Sequence, residues 1–184
     1  DGTDFTINDV MTSFQYFKPV SPFRTQFDYD NLLYWVAGEL IARVSGMTWE
    51  DYIQTKIMTP LQMNNSLSSN KQINNNTNLA IPHSTEGVNS QIRTIALFQE
   101  IINGAAGGIL SNADDMNKWM IMQLNQGKYG DKLDKKLFSE KRQKEMWTIH
   151  TVMNSNSNPI YNQHFSGYGL GWFLNDSKGN LEVS

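Results

Sequence analysis

The chemistry-bearing residues of this sequence gather at a few places, and the first is Phe27-Asp28-Tyr29-Asp30-Asn31, at the mouth of a long amphipathic pattern. If that pattern is a helix, the Tyr29 phenol and the Asn31 amide stand at its N-terminus. A phenol, with a usual pKa near 10 that cationic neighbours lower, can shuttle protons. An amide can hold a lysine and a substrate carbonyl together. The plainer reading is that Tyr29 packs and Asn31 caps, and the five residues alone do not decide between the two.

Other patterns offer less. Ser68-Ser69-Asn70-Lys71 matches Ser-x-x-Lys, in which a lysine one helical turn on deprotonates a nucleophilic serine. That chemistry needs a helix holding both side chains in a dry pocket, and these residues fall in an Asn-rich stretch read as a loop. His83, His150 and His164 are the three histidines, and none has a histidine or carboxylate at a metal-ligand spacing, so no metal is expected. Asn103-Gly104-Ala105-Ala106-Gly107-Gly108 lacks the Gly-Lys-Ser/Thr of a phosphate loop. Gly167-Tyr168-Gly169-Leu170-Gly171 lacks the helix that a dinucleotide fingerprint needs, so no cofactor is expected.

Composition narrows the partners. With 15 Lys plus Arg against 18 Asp plus Glu, the net charge of -3 provides no basic field for a phosphate backbone, and nucleic acid is excluded as a partner. The absence of cysteine removes disulfide scaffolds, thiolate zinc sites and cysteine nucleophiles together, while leaving the compartment open. Apolar runs such as Leu32 to Ala37 fall far short of the roughly 20 residues that span a bilayer. The 184 residues amount to about one domain, and 11% aromatic residues suffice for a core.

The elements that must position these groups follow from period and punctuation. Thr6 to Phe14 reads as a short helix with a hydroxyl cap. Asn31 to Ser45 reads as a helix with Leu33, Val36, Ala37, Leu40, Ile41 and Val44 on one face, stopped by Gly46. Thr48, with Asp51 three residues on, opens a helix through Met58 that Pro60 ends. Asn64 to Asn78 should be an exposed loop, because its Asn and Ser clusters have little surface to bury. A helix is expected from Gln91 to Asn103. Another, capped by Ser111, should carry Met116, Trp119, Met120, Gln123 and Leu124 down one side and end at Gly127. Ser139 to Ile149 reads as a further helix and Asn154 to Asn158 as a polar loop. Tyr168 to Phe173 then alternates as a strand, and after a turn at Asp176 to Asn180 a second strand begins at Leu181. The expected class is α+β, with residues 1–165 mainly helical and residues 166–184 a terminal β-hairpin belonging to a sheet largely outside this chain.

Four blocks in order add a resemblance. They are Tyr29-Asp30-Asn31 with the helix to Gly46; Thr59-Pro60-Leu61-Gln62-Met63; Ala105-Ala106-Gly107-Gly108-Ile109-Leu110-Ser111 through Asp114-Asp115-Met116, followed by Leu124-Asn125-Gln126-Gly127; and Tyr168-Gly169-Leu170-Gly171-Trp172. Together they resemble the serine β-lactamase and penicillin-binding family, in its class C, carboxypeptidase and esterase branch. The sequence departs from that pattern at Gln62, where glycine is usual, and at Asp30, where serine or alanine is common.

The resemblance implies a hydrolase in which a Ser-x-x-Lys serine forms an acyl-enzyme with a β-lactam, a D-amino-acid peptide or an ester. Tyr29 would serve as general base or proton relay, and Asn31 would bind the catalytic lysine and the substrate amide. Ser-x-x-Lys is then expected upstream of Asp1, and His-x-Gly or Lys-Thr-Gly just past Ser184, leaving the isolated chain inactive. By the same resemblance the parent protein would be periplasmic or secreted. The rival reading is a non-catalytic module of the same fold that binds cell-wall fragments or a protein partner.

Overall fold

The computed structural model describes residues 4–74, 78–86, 91–97, 102 and 104–184. The chain begins with α1 (Ile7–Ser13), and Thr6 caps it as its sequence suggests. The Thr6 hydroxyl accepts the Asp9 N–H, while the Asp9 carboxylate accepts the Thr6 N–H at 2.7 Å, so two otherwise orphaned donors are satisfied. α2 (Asn31–Ser45) has the expected bounds and stops at Gly46. Its inward face is the expected one only in part: Val36 and Ile41 are half-buried, but Leu33, Leu40 and Val44 are exposed, and the covered line also takes in Tyr34, Trp35, Gly38 and Ala42. Apolar residues occur all round this helix, so period alone could not choose the face. The short turn Gly104–Ala106 packs against it.

α3 (Trp49–Ile53) opens on Thr48, whose hydroxyl accepts the Asp51 N–H at 3.1 Å. The helix then widens over Gln54–Met58 into a π-helical turn, with the Thr59 N–H reaching back five residues to the Gln54 carbonyl. The extra residue in that turn lets Ile53 and Met58, five apart, both be buried.

Residues 64–74 correct the expectation of an exposed loop. Ser66, Ser68 and Ser69 are buried, because small hydroxyls can go inside when each finds a partner. Ser66 Oγ lies 2.8 Å from Ser111 Oγ, and Leu67 and Leu110 exchange both backbone hydrogen bonds. The helix expected over Gln91 to Asn103 is likewise corrected in its first part: β2 (Arg93–Thr94) pairs antiparallel with β1 (His83–Ser84). Residues 98–101 and 103 lie outside the described residues.

α4 (Ala113–Leu124) starts two residues after Ser111 and carries Asp114 and Asp115 in its first turn, where the helix dipole favours anions. Its covered side is Asp115, Met122 and Gln123; of the predicted stripe, Gln123 is buried and Trp119 half-buried, whereas Met116, Met120 and Leu124 face outward. The fully buried Asp115 carboxylate is matched by Lys118 Nζ at 2.9 Å, and the same ammonium donates to the Gln62 carbonyl. Compensation of this kind lets a charge occupy an inward position that a hydrophobic pattern would not assign. Gly127 ends the run, and β3 (Lys128–Tyr129) pairs with β4 (Lys135–Lys136). α5 (Glu140–Met146), capped by Ser139, is shorter than expected. Its buried Gln143 donates its side-chain amide to the Gln123 carbonyl.

The remaining chain forms an antiparallel sheet in the order β5 (Thr151–Met153), β6 (Ser166–Tyr168), β7 (Phe173–Ser177) and β8 (Asn180–Val183). The expected hairpin is β7–β8. The expected single strand from Tyr168 to Phe173 is instead two strands, because the Gly169 N–H turns back to the Trp172 carbonyl and Gly171 takes a φ of +82°. Sheet structure is therefore neither limited to the end of the chain nor limited to one hairpin within it, while the α+β class holds.

Two compact units emerge, each built from separated segments. One comprises residues 1–14, 31–59 and 64–112; the other comprises residues 15–30, 60–63 and 113–184. Trp49, Ile53 and Met58 are buried in the first, and Leu61, Met63, Met122 and Leu174 in the second.

Candidate functional site

Tyr29 lies in the short stretch from Phe27 to Asp30, which forms neither helix nor strand. Its side chain is 50% exposed. The covered part of the ring meets other rings of the same unit. The Tyr168 ring stands edge-on to it, with centroids 6.4 Å apart and planes at 88°, and the Phe27 ring is tilted at 6.4 Å. Phe27 also meets Tyr168 at 5.3 Å and Phe173 at 5.9 Å, and Tyr168 meets Phe173 at 4.8 Å. These are the edge-to-face and tilted separations that the ring quadrupole favours. The segment thus presents a phenol half in water and half against an aromatic wall.

Asn31 is the first residue of α2, in the other unit, and is exposed. An amide there stands at the positive end of a 15-residue helix. Sequence reasoning singled out both Tyr29 and Asn31 but did not find the aromatic wall. Its members come from Phe27, the last residue of β6 and the first of β7, and no spacing rule joins residues so far apart in the chain.

The Ser68–Lys71 match is a capping arrangement. Ser69 is the N-cap of the 3₁₀ turn Asn70–Gln72, and its hydroxyl accepts the Lys71 N–H at 3.2 Å. Gln72 Oε1 accepts from the Ser68 N–H at 2.9 Å, the Ser68 hydroxyl at 3.3 Å and the Ser69 N–H at 3.2 Å. Ser68 is fully buried and Lys71 is exposed, so the two do not face a common pocket.

Of the histidines, His83 Nδ1 lies 2.8 Å from the Ile81 carbonyl and His150 Nε2 lies 3.0 Å from that of Glu145, both local contacts. His164 instead pairs across the sheet. Its Nδ1 donates to Asp176 Oδ2 at 2.6 Å, while Asp176 Oδ1 accepts the N–H groups of His164 and Phe165 at 2.7 and 2.9 Å. The imidazole hydrogen bond, followed by the backbone donors, lowers the Asp176 pKa to about 2. Because the folded value lies below the unfolded value of about 3.9, the carboxylate contributes stability above about pH 4. That contribution is lost as pH falls toward 2. Asp176→Asn is expected to flatten the fall in thermal midpoint between about pH 4 and 2, and an unchanged pH profile would refute this anchoring role. Among the described residues, no group of three or more histidine, aspartate or glutamate side chains is placed to hold a metal ion.

In the same unit, a concavity of about 510 Å³ is bordered by Pro60, Leu61, Ile121, Tyr129 and Leu133, and no residue of the aromatic wall lines it. Tyr29 and Asn31 remain the candidates that the sequence names.

Comparison with known proteins decides the family. The beta-lactamase family model matches residues 2–183. The chain belongs to the beta-lactamase family. A curated relative, Unguisins hydrolase ungD' of Aspergillus campestris (strain IBT 28561), is 28% identical over 120 residues, covering 65% of this chain and 22% of that protein. The chain thus spans about a fifth of the length of this relative. Among solved structures, the octameric penicillin-binding protein homologue from Pyrococcus abyssi superposes with a TM-score of 0.76 at 23% identity, over 97% of this chain and 37% of that one. A D-stereospecific amidohydrolase from Streptomyces sp. gives 0.69 at 19% identity, over 98% and 48%. A class C beta lactamase gives 0.64 at 18%, over 91% and 40%. At these identities the structures establish the fold.

One departure from the beta-lactamase pattern gains a physical explanation. Gln62, where glycine is usual, has a φ of +57°, the left-handed region that glycine enters freely and other residues enter at a cost of about 1 kcal/mol. The Lys118 ammonium on its carbonyl helps to hold that turn.

Proposed function

We propose that this chain contributes Tyr29 and Asn31 to a serine hydrolase that works through an acyl-enzyme. The observation that carries the reading is the placement of Tyr29: a half-exposed phenol set against an aromatic wall, two residues before Asn31 opens α2. It occurs in a chain matched to the beta-lactamase family over residues 2–183.

In this reading a serine hydroxyl attacks the substrate carbonyl, and the new acyl C–O bond replaces the bond to the leaving group. Tyr29 takes the serine proton and hands it to the departing nitrogen or oxygen. Asn31 donates its amide N–H to the substrate and offers its carbonyl oxygen to a lysine ammonium. Water then attacks the acyl-enzyme and regenerates the serine. The serine and lysine are supplied by the longer protein, since Ser68 and Lys71 are otherwise engaged or apart. Substrates of this reading are β-lactams, D-amino-acid peptides and esters, whose carbonyl chemistry is shared, and its setting is the bacterial envelope.

A fluorescent penicillin tests it. The full-length protein should retain the dye through denaturing electrophoresis, whereas the 184-residue chain should not. Reversible binding of the dye by the full-length protein, with no covalent label, would favour a binding module instead. Hydrolysis by the 184-residue chain alone would return Ser68 and Lys71 to candidacy.

A further inference from the structure

The stretch that carries Tyr29 has no helical or sheet ladder to fix it, since Phe27 to Asp30 forms neither element. A general base nevertheless has to be held within about 0.5 Å and 10–20° of its working geometry. Rotation about χ1 and χ2 would swing a half-exposed phenol by several ångströms unless packing on the ring prevents it. Two rings contribute to that packing. Tyr168 and Phe27 each touch every other ring of the cluster, and both touch Tyr29.

The two are not equivalent. Phe27 sits in the same irregular stretch as Tyr29, outside the sheet. Tyr168 closes β6, whose backbone is paired with β5 on one side and β7 on the other, and its cross-strand partner Phe173 packs on its ring at 4.8 Å. A central strand and a cross-strand aromatic pair make Tyr168 the fixed member of the cluster. Its edge-on contact at 88° limits how far the Tyr29 ring can rotate before the two collide.

We propose that Tyr168 is a positioning residue for Tyr29, the sheet-borne ring that holds the phenol in its proton-transfer orientation, with Phe27 clamping from the adjoining chain. The inference rests on the proposed role of Tyr29 for its catalytic consequence, while the packing itself can be read without catalysis.

The test has two readouts. In the 184-residue chain with ring-labelled tyrosine, the Tyr29 signals, assigned by their loss in Tyr29→Phe, carry shifts from the neighbouring rings. Tyr168→Leu should move them toward the position of an unstructured tyrosine, and Tyr168→Phe, which keeps the ring, should leave them in place. In the full-length enzyme, Tyr168→Leu should lower kcat on the order of 10²-fold with KM little changed, because an ångström of misplacement costs about that much. Tyr168→Phe should restore kcat to within about threefold. Should Tyr168→Leu not fold, Phe27→Leu is read in the same way, with a smaller shift and a kcat loss of about tenfold.

Unmoved Tyr29 signals in Tyr168→Leu, or equal kcat losses in the Leu and Phe variants, overturn the positioning role. Failure of the catalytic reading looks different: Tyr29→Phe itself would then leave turnover intact, whatever the ring signals do.

Discussion

Tyr29→Phe in the full-length protein should lower the rate of acylation by about 10²- to 10⁴-fold, the range over which a positioned acid or base contributes to a chemical step. The substitution isolates one atom. Phenylalanine keeps the ring that meets Phe27 and Tyr168, so the cluster remains packed and the hydroxyl alone is lost. The side chain is half exposed, and removal of its oxygen leaves no buried cavity. Stability should therefore change by less than about 0.5 kcal/mol, the usual range for surface changes. Single-turnover labelling with a fluorescent β-lactam measures the acylation step directly, and KM should stay within a few-fold because the contact matters mainly in the transition state. Acylation within a few-fold of the parent rate would remove Tyr29 from the mechanism.

Gly127→Ala should produce the largest change in stability. Gly127 closes α4, with its N–H on the Met122 carbonyl at 3.0 Å, and its own carbonyl accepts the Leu137 N–H at 2.8 Å. Its φ of +86° belongs to the region that glycine enters freely, and a Cβ there would lie 2.3 Å from the Phe138 carbonyl oxygen and 2.8 Å from its ring. Backbone strain and a clash with backbone act together, and a loss of about 3 kcal/mol or more is expected, or about 10 °C in thermal midpoint for a chain of this size. Gly46→Ala provides the control. Gly46 has a φ of +72° but nothing within 4 Å of the added methyl, so only the strain applies and the loss should be about 1 kcal/mol. Equal losses in the two variants would show that the close approach to Phe138 does not matter.

How much of this was legible in the sequence depends on how local each signal is. Thr6 with Asp9 and Thr48 with Asp51 announce helix starts because a cap and its donor lie three residues apart. Asn31 to Ser45 was readable in its bounds but only in part in its inward face, since which side of an apolar helix is covered depends on what packs there. The buried serines at 66, 68 and 69 were missed because their partners, Ser111 and Gln72 among them, belong to tertiary and turn geometry. Asp115 was missed as a buried group because its burial depends on Lys118 and a carbonyl more than fifty residues away.

At the candidate site the division is similar. Tyr29 and Asn31 stand out through type and spacing, and the family match over residues 2–183 agrees with the four ordered blocks. The rings that hold Tyr29 could not be read, since edge-on packing between a chain segment and a distant strand leaves no periodic trace. Nor could the His164–Asp176 pair, which depends on the register of β6 against β7.

The assembly of the second unit from residues 15–30, 60–63 and 113–184 bears on how the molecule comes into being. Phe27 and Tyr29 leave the ribosome more than a hundred residues before Tyr168 and Phe173. At roughly 5–20 residues per second that is a wait on the order of ten seconds. During it, the neighbouring segment carries Tyr16, Phe17 and Phe23 without the sheet of its own unit. The Tyr29 phenol therefore acquires its aromatic surroundings only when synthesis reaches β6 and β7. Slow translation across residues 113–168 lengthens the interval in which Phe27 and Tyr29 lack the rings of Tyr168 and Phe173.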